Sequence, residues 1–410
     1  MCRILQWKAL YMSLNFGRAQ LSIPGPSVIP DRVLNAMHRA SPNIYEGELI
    51  DITASLYPDL KAVARTKHHA AIYIANGHGA WEAALANTCS RGDKILVLVT
   101  GRFGQGWADV AGRTGIEVET MDFGMQDAVD PQRLCDRLKA DNTHEIKGIL
   151  TVQTDTASSV QNDIPAIRKA IDDAGHPALF YVDCIASLGC DRHEMDDWGV
   201  DVMVTACQKG LMTPAGMSFV FFNDKAAAAQ EHADLVTNYW DWHPRANPKQ
   251  FYQQFGGTAP THHLFGLREA LTMLVHEEGI EQAWKRHDTS ARAVWAAVET
   301  WGCLQLNIAD PSRRSRAVTT VRSQGDECGR LRHWCEHQGG LTLGIGLGFA
   351  EKGQPVWEQV LRVAHMGHLN PVMLMGALGT MDTGLKALGI AHGSGALDAA
   401  STVLANHSAV

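Results

Sequence analysis

The feature that most constrains this chain is a series of short apolar runs, each passing directly into polar or glycine-rich sequence. Lys94-Ile95-Leu96-Val97-Leu98-Val99 leads to Gly101-Arg102-Phe103-Gly104-Gln105. Gly148-Ile149-Leu150-Thr151-Val152 leads to Thr154-Asp155-Thr156. Ala178-Leu179-Phe180-Tyr181-Val182 ends in Asp183, and Val200-Asp201-Val202-Met203-Val204 precedes Ala206-Cys207-Gln208-Lys209-Gly210. These runs read as strands, and they alternate with helical stretches to about residue 222, as a mostly parallel sheet requires. Residues 51–70 look helical, with Ile52, Leu56, Leu60 and Val63 on one face. Open α/β sheets bind ligands along the edge formed by the C-terminal strand ends. The groups that follow the runs therefore point to one site.

Two of those groups carry specific chemistry. A lysine at the end of a buried strand can lose its proton and form a Schiff base with an aldehyde. An aspartate alongside can keep a pyridine nitrogen protonated. Lys209 and Asp183 together supply the protein's half of pyridoxal phosphate (PLP) chemistry. Such a cofactor also needs a phosphate cradle and a flat face. Asn76-Gly77-His78-Gly79, followed by a helix from Ala80, offers glycines for close approach and helix amides that attract phosphate. Phe103 is the candidate to stack on the ring.

Further blocks extend the pattern: Ile23-Pro24-Gly25-Pro26-Ser27, Val182-Asp183-Cys184-Ile185-Ala186-Ser187-Leu188-Gly189, Gln208-Lys209-Gly210, Thr258-Ala259-Pro260, Gly266-Leu267-Arg268-Glu269-Ala270 and Val360-Leu361-Arg362-Val363-Ala364-His365-Met366-Gly367. With these in order from about residue 20 to 400, the chain resembles the class V aminotransferases of PLP fold type I. It is most similar to the alanine–glyoxylate and serine–glyoxylate (serine–pyruvate) aminotransferases. The resemblance implies a large domain with a mostly parallel seven-stranded sheet between helices, plus a smaller C-terminal α+β domain. The expected boundaries are an extension and arm over 1–30, a PLP-binding domain over 31–288 and a small domain over 289–410.

The resemblance also implies roles for particular residues. Lys209 and Asp183 are catalytic, and both hold the cofactor. Asn76, Gly77, His78, Phe103, Thr156, Ile185 and Gln208 are expected around PLP, with Thr156 near the ring hydroxyl and Gln208 at the phosphate. The family's Glu-Ser-Ser-Thr-Gly stretch is replaced by Asp155-Thr156-Ala157-Ser158-Ser159. Two cofactor contacts are expected from a partner subunit, at positions Phe255 and Thr258. Phe255 cannot donate the hydrogen bond of the family's tyrosine. Gly25 is expected at the substrate. Arg362 is expected to bind the α-carboxylate, since one charge interrupts the apolar run Val360-Leu361-Arg362-Val363 and suits a counter-charge.

Composition agrees with this reading and narrows partners. The 410 residues are 45% hydrophobic and 20% charged, which describes an ordinary globule. A formal charge of −8 disfavours nucleic acid and anionic membranes as partners. No apolar stretch approaches the ~18 residues of a membrane span. Nine cysteines, an odd number without a CxxC, read as a reduced cytoplasmic protein. Cys328, His333, Cys335 and His337 fit no zinc spacing, so no metal is expected. Residues 1–11 lack the apolar core of a signal peptide and read as an over-long start or a tag-like extension. The glycines of 339–348 do not follow a strand in dinucleotide-binding spacing.

The expected function is transfer of an amino group from serine, alanine or aspartate to a 2-oxo acid, chiefly glyoxylate, by a ping-pong mechanism in a homodimer. Two rivals stand beside it: a class V lyase such as a cysteine desulfurase, and a non-catalytic PLP-fold binding protein. His262 with His263, and Tyr45 in Tyr45-Glu46-Gly47, raise a dicarboxylic donor, although histidines at a helix start need no such role.

Overall fold

A computed structural model describes residues 13–407. The reading of residues 1–11 as an extension lies outside them. The described chain begins with β1 (Gln20–Ser22), and the next seven strands form one sheet. They are β2 (His69–Tyr73), β3 (Lys94–Val99), β4 (Glu117–Asp122), β5 (Ile146–Val152), β6 (Leu179–Asp183), β7 (Val202–Ala206) and β8 (Ser218–Phe222), in spatial order β2-β8-β7-β6-β5-β3-β4. Only β8 runs against its neighbours. The expected α/β class and mostly parallel seven-stranded sheet are observed.

The inner strands are mostly apolar and buried because both faces are covered. Leu96, Leu98, Phe180 and Val182 pack into the core on one side, with Leu56, Leu60, Leu264 and Leu267 from helices. Ile95, Val97, Tyr181 and Val204 pack on the other, against Trp81 and Trp107. β4 is one of the two edge strands and is largely polar; its Glu119 pairs with Lys94 and Arg137. Charges on an exposed edge discourage pairing with another chain.

The chain reverses its direction of growth at β3. It adds β4 on one side of β3 and then returns to place β5 on the other. This switch point lies beside the strands that carry Asp183 and Lys209, where a crevice opens at the C-terminal strand ends.

The helix expected over 51–70 occupies Glu48–Ala64 instead. Arg65 adopts a left-handed conformation (φ 56°) that ends it, and 69–70 already belong to β2. The helix expected from Ala80 begins at Gly77, because Asn76 caps it. Ile280–Trp301 is one unbroken helix running through the expected 288/289 boundary. Beyond it lie β9 (Gln305–Leu306), β10 (Val318–Arg322), β11 (Leu341–Leu343) and β12 (Val360–Ala364). β12, β10 and β9 form an antiparallel sheet, covered by helices Glu327–Gly339, Pro371–Ala387 and Ala396–His407. The segment read as an N-terminal arm joins this layer, since β1 pairs in parallel with β11. Among the described residues, no helix is long and apolar enough to cross a membrane.

Candidate active site

The strand ends enclose a cavity of about 220 Å3. Asn76, Gly77, His78 and Trp81 line it after β2, Phe103 after β3, and Val152, Thr154 and Thr156 at and beyond the end of β5. Asp183, Ile185 and Ala186 come from the end of β6, and Gln208 and Lys209 from beyond β7. Residues far apart in sequence meet here because parallel strands deliver their C-terminal ends to one edge.

Lys209 is 9% exposed. Burial, aided by the positive charge of Arg362, pushes its amine down to about 8. Its Nζ donates to the Pro24 carbonyl. The same N-terminal segment clamps the lysine backbone: Ser27 Oγ donates to the Lys209 carbonyl (2.7 Å), and the Ser27 amide to the Gln208 carbonyl (2.9 Å). Gly25 has φ +92°, and a Cβ there would collide with the Lys209 side chain. Only glycine satisfies both demands at once.

Asp183, 3% exposed, is pushed up to about 7 by burial. Two donors oppose that shift: the Ile185 amide on Oδ1 (2.6 Å) and Trp81 Nε1 on Oδ2 (2.7 Å). Sequence reasoning gave Trp81 no role; in the sequence it is one more apolar residue of a helix. It also passed over Asp155, which is buried without a cation within ion-pairing distance among the described residues. Asp155 accepts from the amides of Phe103 (2.7 Å), Gly104 (3.3 Å) and Ala157 (2.9 Å). It thereby ties the turn that carries Phe103 to the turn that carries Thr156. An acid in the polar stretch directly after an apolar run was the available signal.

Arg362 lies on β12, 5% exposed, behind Thr156. Its Nε donates to the Ile345 carbonyl (2.7 Å) and one terminal nitrogen to the Thr156 carbonyl (2.9 Å). Burial pushes it down to about 10, while the charge of Asp155 favours the protonated form. Asp155 is thus a nearby acid that the sequence did not reveal, but backbone amides occupy its oxygens. Among the described residues, Arg362 has no carboxylate within ion-pairing distance. A larger groove, about 1160 Å3, runs past Arg65, Asp191, Asp288 and Arg316. Its charges are mixed, and the lysine–aspartate pair lies outside it.

The family model for class V aminotransferases matches residues 25–360. The chain belongs to the class V aminotransferases. It is 36% identical over 404 residues to a serine–glyoxylate aminotransferase of Methylorubrum extorquens, covering 95% of this chain and 97% of that one. It is 33% identical over 375 residues to an L-aspartate–glyoxylate aminotransferase of Paracoccus denitrificans, covering 90% and 91%. The crystal structure of a pyridoxamine–pyruvate aminotransferase from Mesorhizobium loti superposes with a TM-score of 0.85 at 24% identity, over 97% of this chain and all of that one. That likeness identifies the fold, PLP fold type I.

PLP is the cofactor of this aminotransferase, and the cavity fits it. Gln208 Oε1 is buried in its wall with no hydrogen-bond partner among the described residues, and the same amide turned over would present its N–H donors to a bound group there. A Cβ on Gly77 would collide with Ile185, so the backbone there lies close beneath the cavity. The cradle differs from expectation in one respect. The Asn76 side chain already accepts from the amides of His78 (3.1 Å) and Gly79 (3.4 Å), which the sequence suggested were free.

Six expected residues do not line the cavity of their own subunit: Gly25 and Arg362, whose places are given above, and Phe255, Thr258, Tyr45 and His262. Phe255 is 1% exposed, packed at 5.5 Å against Phe251 in the core, so its ring faces neither this cavity nor a neighbour. An apolar ring gains more in the core than at a phosphate. His262 opens the Thr261–Leu271 helix and bonds the Arg39 carbonyl at 3.1 Å. Tyr45 is 85% exposed. Thr258 is also exposed and remains available to a second subunit.

Proposed function

We propose that this aminotransferase moves an amino group from a small L-amino acid (serine, alanine or aspartate) to glyoxylate, giving glycine, in two half-reactions that share one site. The observation that carries the reading is Arg362. A fork of donors in an apolar layer, with no carboxylate within ion-pairing distance among the described residues and close enough to Lys209 to depress its amine, suits an α-carboxylate common to donor and acceptor. The relatives named above, which act on serine or aspartate with glyoxylate, support the substrate class.

When bound, PLP supplies an aldehyde and an electron-withdrawing ring. Asn76, Gly77, His78 and Gln208 would hold its phosphate end, Phe103 and Ile185 its faces, and Thr156 its ring hydroxyl. Asp183 would hold the proton on the ring nitrogen. Lys209, freed by the donor, would move the proton at the donor Cα. Departure of one oxo acid before the next enters makes the kinetics ping-pong.

The reading includes a homodimer with sites near the interface. Ile74 leads into the cradle, and Ile74, Tyr239 and Tyr252 are exposed; the Tyr239 hydroxyl donates to the Ile74 carbonyl at 3.1 Å. Apolar exposure at the rim of a site suits a partner surface. The described cysteines are unpaired, in keeping with a cytoplasmic location.

The test is a donor screen with glyoxylate, pyruvate and 2-oxoglutarate as acceptors. Expected are turnover of serine, alanine or aspartate with glyoxylate, and parallel lines in double-reciprocal plots. Equal or better rates with 2-oxoglutarate, or intersecting lines, overturn the reading.

A further inference from the structure

We propose that Trp81 is a positioning residue for Asp183: its indole N–H keeps the aspartate ionised and aimed at the cofactor's ring nitrogen. The inference rests on the reading of Asp183 given above and deepens it.

Trp81 is 1% exposed and lines the cavity beside Asp183. The two oxygens of that carboxylate are held differently. Oδ1 takes the Ile185 amide, a main-chain contact that any residue at 185 except proline would make. Oδ2 takes the Trp81 indole, a contact that depends on one side chain. An indole nitrogen only donates. It therefore favours the carboxylate over the protonated acid, against the burial that pushes Asp183 up.

The ring cannot turn aside easily. It stacks on Trp107 (centroids 5.9 Å apart, 14° between planes), leans on His78 at 4.5 Å and meets Phe103 edge-on at 6.4 Å. Trp81 sits one turn into the Gly77–Ala86 helix, whose first residues form the cradle. One rigid helix thus sets both the phosphate end of the cavity and the group facing the opposite end of the ring.

Without the indole donor, Oδ2 has no other hydrogen bond among the described residues, and Asp183 becomes more basic. The proton shared with the ring nitrogen then shifts toward the carboxylate, and the ring loses charge. Trp81→Phe keeps the aromatic packing and removes the donor.

The test uses the dimeric or monomeric enzyme as purified, loaded with PLP carrying a heavy-isotope ring nitrogen, read by nitrogen NMR. Wild type, Trp81→Phe and Asp183→Asn are compared. Asp183→Asn should give a neutral-ring resonance, and Trp81→Phe should be displaced toward it. The PLP dissociation constant of Trp81→Phe should rise about tenfold, equivalent to about 1.4 kcal/mol. kcat should fall about tenfold with little change in the donor KM.

A Trp81→Phe resonance that coincides with wild type at neutral and alkaline pH overturns the proposal while leaving Asp183 in its role. An Asp183→Asn resonance equal to wild type overturns both readings. If Trp81→Phe does not fold, benzothienylalanine at position 81 preserves the shape, replaces the N–H by sulfur, and gives the same comparison.

Discussion

Lys209 and Asp183 are both driven toward their neutral forms by the same apolar walls, to about 8 and about 7. For Lys209 the folded value lies below the ordinary 10.5, so the neutral, nucleophilic amine accumulates as pH rises through about 8. Capture of PLP by cofactor-free protein, followed by absorbance, should accelerate through that pH and level off above it. A midpoint near that of free lysine would count against a desolvated amine. Lys209→Ala should abolish turnover. Asp183→Asn should cost at least ~10²-fold in kcat, the low end for a charge-stabilising group, with the fold intact by circular dichroism. Arg362→Lys keeps the charge but loses the planar fork, so it should raise KM for donor and acceptor alike while PLP stays bound. If Arg362→Ala leaves kcat/KM for both within about threefold, the carboxylate lies elsewhere.

The helix Gly77–Ala86 shows how one local choice serves stability and binding at different times. Asn76 accepts from the amides of His78 and Gly79, a capping interaction worth about 1 kcal/mol. Those amides are also what a phosphate group would take. Asn76→Ala should therefore destabilise the cofactor-free protein by about 1 kcal/mol in urea unfolding, and millimolar inorganic phosphate should restore part of that loss. An equal loss with and without phosphate would mean that the anion does not use this helix end. The strand elements were easy to read because two covered faces demand continuous apolar sequence. The N-terminal segment was not: its clamp on Lys209 runs through the Ser27 hydroxyl and through backbone groups of Pro24, Ser27, Gln208 and Lys209, and every one of these bonds joins it to a segment about 180 residues away.

At the scale of the whole molecule, the question is what completes the site. Thr258 is exposed beside a glycine turn, Gly256-Gly257, while Phe255 is withdrawn into the core. Sedimentation should show a dimer at assay concentration. Thr258→Val should weaken PLP binding about tenfold, the loss of one hydrogen bond to a charged group. Mixing Thr258→Val subunits with Lys209→Ala subunits should return tight binding to one site of each hybrid, because each hybrid then holds one site with both residues intact. Hybrids that bind no better than Thr258→Val alone would place Thr258 outside its neighbour's site.

The sequence by itself determined the sheet, its active edge and the lysine–aspartate pair, because each follows from residues in one strand and the few beyond it. Phe103 was legible for the same reason, lying just past a strand end, whereas Thr156, Ile185 and Gln208 were expected from the family resemblance. Tertiary structure alone decided the rest. Trp81 bonds Asp183, Asp155 ties two separate turns, and Gly25 makes room for Lys209, and each of these contacts joins segments distant in the chain. It also turned Phe255 inward and left His262 on the Arg39 carbonyl. Apolar periodicity records which face of an element is buried, but which side chain it meets there depends on the packing of other elements, and that information is not local.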